Sequence, residues 1–192
     1  MLQNDILMIL AYSLGVALVV HRVLIKRLPQ FARSGLVAAG VLASLPILNG
    51  LSFAEWLRGG LGELSVTTLL LLGGACARAF TLPHFSVPRR HLSLGLLPLG
   101  GLIYFDTLTG IGPNFYAFGY SHSFIWGAIA LAASLYFLRQ CALGWWLIIV
   151  VLSWNLHLLH SNNFFDYLID VPLWIALMFY CVRNYFSKIR SN

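Results

Sequence analysis

Seven apolar runs separated by short polar connections make up most of the chain, with limits near Ile6 to Leu24, Gly35 to Phe53, Leu64 to Leu82, Leu92 to Leu108, Ser121 to Leu138, Gly144 to His160 and Tyr167 to Val182. Crossing the hydrocarbon layer takes about 20 apolar residues at about 1.5 Å of rise each, so every run predicts a membrane-spanning helix. Pro29 should stop the first helix, and Pro46 should kink the second, with Asn49 near its far end. The fourth is weakened by Pro98 and the pair Gly100-Gly101. Ala54 to Glu63, which contains Gly59-Gly60, reads as a loop. Thr109 to Tyr120, rich in Gly, Asn and aromatic residues, reads as an ordered loop at the membrane interface. The last two spans are divided at Ser161-Asn162-Asn163, because a single helix through this turn would bury His and Asp in lipid.

Composition supports this reading and excludes a soluble protein. Of 192 residues, 59% are hydrophobic and 9% charged, against roughly a quarter charged in soluble domains, and the mean hydropathy is +0.82. The expected fold is an all-α integral membrane protein, a single polytopic domain of about seven transmembrane helices in a compact bundle. No length remains for a sizeable soluble domain. Cys76, Cys141 and Cys181 are odd in number, widely spaced and form no C-x-x-C pair, which argues against a disulfide framework or a thiolate metal site. The N-terminus lacks a basic n-region, and His21, Arg22, Lys26 and Arg27 follow the first apolar run where a small-residue cleavage site would stand. It therefore reads as a retained span.

A net charge of +6 would suggest nucleic acid in a soluble protein, but here its placement sets orientation. Eleven of the twelve Lys and Arg fall in alternate connections and in the C-terminal tail, leaving Arg58 opposite. The positive-inside rule then puts the N-terminus outside and the C-terminus inside. That orientation requires an odd number of spans, and it makes the protein a multi-pass component of a cell inner (plasma) membrane with no nucleic-acid partner.

The acids played no part in that assignment, yet Asp5, Glu55, Glu63, Asp106, Asp166 and Asp170 all fall on the outer side, together with His122, His157 and His160. The densest polar stretch is Trp154 to Asp170, with two His, two Asp and three Asn in an otherwise apolar region. His157 and His160 at i, i+3 would share one helical face, and Asp166 and Asp170 at i, i+4 would share another. Joined by Asp106 and His122, they would line an outer pocket with Asn162 and Asn163 at its turn. Imidazole and carboxylate together suit a divalent metal such as zinc at His122, His157, His160, Asp106, Asp166 and Asp170. They suit general acid-base chemistry equally.

Each residue also has a plainer role. Asp166 or Asp170 can cap the last helix, His160, Asn162 and Asn163 can be turn residues, and His122 or His157 can make an interhelical hydrogen bond. Glu55 and Glu63 read as solvated loop residues. The aromatic residues at span ends, including Trp56, Trp145, Trp146, Tyr167 and Trp174, read as an interfacial belt.

With six acids facing one base, the outer side favours a cation, an amine, a metal, or a phosphate held through a metal. Three function classes follow. The first is an accessory or binding protein in envelope lipid or glycan handling, whose partners are membrane lipid, an envelope glycolipid or another membrane protein. The second is a membrane-embedded metal-dependent hydrolase or transferase. The third is a small cation- or proton-coupled transporter, although no inverted repeat is evident. The order Leu96-Leu97-Pro98…Asp106, Ser121-His122-Ser123, His…Asp and Val171-Pro172-Leu173-Trp174 resembles the YdjM-like family of membrane-bound metal-dependent hydrolases. That likeness implies the second class. It spans at most Leu92 to Trp174 and lacks the family's paired aspartates after the proline, its Arg-containing His motif and its early His.

Overall fold

A computed structural model describes residues 2–27, 31–48, 50–82 and 88–191. Pro29, Asn49 and the Pro83-to-Val87 part of the second basic connection, including His84, lie outside the described residues. The fold is all-helical apart from one short pair of strands. Its elements are α1 (Leu2–Arg27), α2 (Ala32–Ser44), β1 (Pro46–Leu48), β2 (Leu51–Ser52), α3 (Phe53–Leu61), α4 (Val66–Ala79), α5 (Arg89–Thr109), a 3-10 helix (Phe115–Tyr120), α6 (His122–Phe137), α7 (Cys141–Asn155), α8 (Phe164–Leu168) and α9 (Val171–Ser191). Among the described residues two helices are long and apolar enough to cross a membrane, α1 over Asp5–Ile25 and α5 over its whole length. Helices α2, α4, α6 and α7 are apolar but shorter.

Three expectations about the elements are corrected. The second apolar run does not continue through a kink at Pro46. Helix α2 stops at Ser44, Leu45 is extended at ψ 140°, as the residue before a proline prefers, and β1 pairs antiparallel with β2 through Pro46↔Ser52 and Leu48↔Leu51. The supposed loop from Ala54 is helix α3. Its start is written in a capping box: the Ser52 Oγ accepts the Glu55 N–H at 3.2 Å, and the Glu55 carboxylate accepts the Ser52 N–H at 2.6 Å. Gly62, at φ 81°, ends it. Finally, the sixth and seventh runs start and stop elsewhere, because α7 ends at Asn155 and the last run is broken into α8 and α9.

The chain divides into two compact units. The first comprises Met1–Leu64 with Leu69–Ser86. In it α1 and α2 pack closely because small residues face each other: a Cβ on Gly40 would lie 3.5 Å from the Ala17 Cβ, and one on Gly35 would overlap the Leu24 side chain. Helix α3 packs against α1. There Arg58 bridges Asp5 at 2.7 Å and Glu63 at 3.4 Å, and the Tyr12 hydroxyl donates to the Gly62 carbonyl at 2.9 Å.

The second unit comprises Ser65–Thr68 with Val87–Asn192. The α4 start belongs to it through the hydrogen bonds of Ser65 and Thr68 to Asp170 and of the Trp146 indole to Thr67. Helices α6 and α7 approach until a Gly144 Cβ would stand 3.1 Å from the Ala132 carbonyl. Gly100 opens α5 to the Trp174 ring of α9, whose Cδ1 would meet a Cβ at 2.6 Å, and the Trp174 indole donates to the Leu97 carbonyl at 3.0 Å. The core between these helices is apolar, with Leu92, Ile103, Val150, Phe164 and Tyr167 buried.

Candidate functional site

The polar residues singled out in the sequence, Asp5, Glu55 and Glu63 apart, lie in the second unit, around the loop after α5, the loop after α7 and the short helix α8. The structure gives the three aspartates holding roles. Asp106, buried in the last turn of α5, accepts the Phe115 N–H at 2.5 Å. It thereby satisfies a free donor at the start of the 3-10 helix. Gly112 passes so close that a Cβ there would overlap the Asp106 carboxylate.

Asp166, in the first turn of α8, accepts from the Tyr116 hydroxyl at 2.7 Å and from the Ser161 hydroxyl. Burial, and then the hydrogen bond to Asp166, push the Tyr116 phenol above its ordinary pKa. Asn163 is fully buried and binds the same loop from the other end. Its Nδ2 donates to the Tyr116 carbonyl at 2.8 Å, while its Oδ1 accepts the Phe165 N–H at 2.9 Å and so caps α8. Gly119 is required beside it, since a Cβ at that position would collide with the Asn163 amide and lie 2.7 Å from the Phe165 ring.

Asp170 joins two helix starts. One oxygen accepts the Leu173 N–H of α9 at 2.6 Å, and the other accepts the Ser65 N–H at 2.7 Å and the Thr68 hydroxyl at 2.5 Å at the head of α4. A carboxylate between two helix N-termini is favoured by both dipoles as well as by the hydrogen bonds.

The pairings expected from helical spacing are not formed. His157 and His160 do not share a helical face, because α7 has ended two residues before His157. His157 itself adopts the left-handed conformation, φ 50°. Its N–H donates to the Trp154 carbonyl at 3.0 Å, and the next N–H, of Leu158, to the Ser153 carbonyl at 3.1 Å. This is a Schellman termination with His where glycine is commonest. Asp166 and Asp170 do not share a face either, since Ile169 between α8 and α9 is extended at φ −148°, ψ 141°.

The three candidate histidines lie at the surface. His122, the first residue of α6, is exposed and stands edge-on to the Trp154 ring at 6.1 Å and 82°. His157, also exposed, lies 6.3 Å from the same ring. The Trp154 indole donates to the Asn162 carbonyl at 2.9 Å and meets Phe164 at 6.3 Å, which fixes its orientation. His160 is exposed in the turn. Among the described residues no three His, Cys, Asp or Glu side chains form a group able to hold a metal ion.

Spacing along the sequence gives no sign of the partners that hold the aspartates, Tyr116, Ser161, Ser65 and Thr68, or of the buried Tyr167 hydroxyl, which accepts the Leu159 N–H at 3.0 Å. Only the Asn163-x-x-Asp166 spacing before an apolar run signalled a helix start, in the manner of a capping box. In the sequence Trp154 stands only at the border of the polar stretch, whereas in the structure two imidazoles gather around its ring.

No family model, curated protein or solved structure matches the chain. The resemblance to the membrane-bound hydrolases accordingly has no family match behind it.

Proposed function

We propose that this chain is a multi-pass protein of the cell inner membrane that acts as an accessory or binding protein in envelope lipid or glycan handling. In this reading α1, α2, α4, α5, α6, α7 and α9 are its seven spans, the N-terminus faces out and the C-terminus in. Support for the membrane comes from the large apolar side chains exposed along the helices, such as Val19, Val41, Leu94, Trp126, Phe137 and Phe179, in a chain with too few charges to cover a water-facing surface. The helices of 13 to 16 residues measure about 20 to 24 Å at 1.5 Å per residue. Thinning of the bilayer and snorkelling of the flanking residues accommodate that length.

The observation that carries the binding role is a division of labour. Asp106, Asp166 and Asp170 accept backbone and hydroxyl donors within the fold, whereas His122 and His157 are exposed beside an oriented Trp154, 6.1 and 6.3 Å from its ring. An indole with two imidazoles beside it suits the apolar face and hydroxyls of a lipid or glycolipid headgroup, and it asks for no proton transfer through the three carboxylates.

The test is mass spectrometry of lipids retained by the detergent-purified protein, comparing the parent with His122→Ala, His157→Gly and Trp154→Phe. Glycine is the appropriate replacement at position 157 because it keeps the left-handed backbone. Retention of one headgroup class by the parent and its loss from all three folded variants is the expected result. Identical lipid profiles in all four proteins would overturn the binding surface. Stoichiometric zinc, iron or manganese in the parent that is lost in the histidine variants would favour the metal-dependent hydrolase instead.

A further inference from the structure

Helix α3 is built the wrong way round for water. Phe53, Trp56 and Gly60 stand at i, i+3 and i+7, on one face, and all three are exposed, Phe53 to 47% and Trp56 to 53%. The polar side chains are instead partly covered and paired within the first unit. Glu55 closes the capping box on Ser52, and Arg58 is held between Asp5 and Glu63. Ala54, on the opposite side from Trp56, is completely buried. In a soluble protein the aromatic residues would be inside and Arg58 in solvent.

The position of α3 along α1 explains the inversion. Arg58 reaches Asp5, where the apolar stretch Asp5–Ile25 of α1 begins, and the Gly62 carbonyl after α3 accepts from Tyr12. Asp5 and Tyr12 are seven helical steps apart on α1, about 10 Å at 1.5 Å per step. The C-terminal half of α3 therefore lies beside the first two turns of a helix able to cross the bilayer. That is the depth, about 5 to 10 Å, at which amphipathic helices rest between headgroups and acyl chains. Phe and Trp are the side chains suited to that depth. With its charge paired by two carboxylates, Arg58 adds no isolated ion to this region.

We infer that α3 is an interfacial helix whose Phe53 and Trp56 side chains enter the lipid of the leaflet at the N-terminal end of α1. The inference rests on the membrane-spanning reading of α1. It adds a lipid contact outside the spans, made by residues other than the histidines and tryptophan of the binding surface.

Spin labels test it in the full chain, with Cys76, Cys141 and Cys181 replaced by serine and single cysteines placed as Phe53→Cys, Trp56→Cys or Val19→Cys. All three positions are exposed, so the labels displace no core packing. Each variant is reconstituted in phosphatidylethanolamine/phosphatidylglycerol vesicles, and collisions with oxygen and with a water-soluble nickel chelate are compared. Labels at 53 and 56 should collide several-fold more often with oxygen than with nickel and should lie about 5 to 10 Å below the phosphates, with the label at 19 deeper still. Nickel-accessible labels at 53 and 56, with an oxygen-accessible label at 19, would overturn the inference and leave the span intact. Nickel access at all three positions would overturn the span and the inference together. Shielding of 53 and 56 from both reagents would mean that protein covers this face, and that too would overturn it.

Discussion

Asp170 does the work of two helix caps with one carboxylate. Truncation as Asp170→Ala leaves two backbone N–H groups and a hydroxyl without their acceptor. With buried unpaired donors at about 1 to 3 kcal/mol each and partial rescue by water, the loss should be roughly 3 kcal/mol. Thermal unfolding in detergent would check it, and Asp170→Asn, which keeps one acceptor oxygen, should lose less. Gly119→Ala should destabilise comparably for a steric reason, because its new methyl group has the buried Asn163 amide in its place. The phenol of Tyr116 supplies a pH dependence. Its folded pKa is raised above the ordinary value of 10, so its contribution is fully present below about pH 10 and is lost as pH climbs through the folded value. Unfolding curves from about pH 9 to 12 should show less alkaline destabilisation in Tyr116→Phe than in the parent.

At the scale of elements, the helix ends explain why boundaries moved from where hydropathy placed them. Helices α4, α6 and α7 terminate in the same pair of hydrogen bonds, with Thr81, Arg139 and His157 in the left-handed position. None of the three is a glycine, so the punctuation was invisible to a search for glycine and proline. Placing glycine at 157 should leave stability equal to the parent's or up to about 1 kcal/mol higher, measured by the same thermal unfolding. A large loss would mean that the imidazole has a packing role. At the head of α3, Ser52→Ala should cost about 1 kcal/mol by removing the cap. Hydrogen bonds from the Ser52 backbone and hydroxyl hold the Glu55 pKa below its ordinary 4.5. Its share of the cap is therefore present above that value and is lost as pH falls through the lowered one.

For the whole molecule, the decisive quantity is the parity of the spans. Tags at the two termini of the full chain, probed in sealed membrane vesicles, should be reached from opposite faces if the proposed seven crossings hold. Tags reached from the same face would require an even number and would rearrange every connection after the error. Sodium carbonate should leave the protein in the membrane pellet, as expected for helices inserted through the bilayer rather than lying on it.

Hydropathy and charge determined the class of this protein: an all-helical chain with apolar surfaces, polar groups gathered in a few connections, and basic residues segregated from acidic ones. These properties are sums over many residues, so they survive small errors in any boundary. The tertiary structure decided what the polar residues do. Asp106, Asp166 and Asp170 looked like ligands from their chemistry, and only the positions of Phe115, Tyr116, Ser161, Ser65 and Thr68 made them caps and clamps. Those partners include backbone donors, which carry no sequence signature, and lie up to 105 residues away. The His122, Trp154 and His157 surface was hidden for the same reason, since its geometry depends on where α6 starts and α7 stops. Helical spacing relates side chains only within an unbroken helix, and the breaks at Leu156 and Ile169 were set by hydrogen bonds that the local sequence does not display.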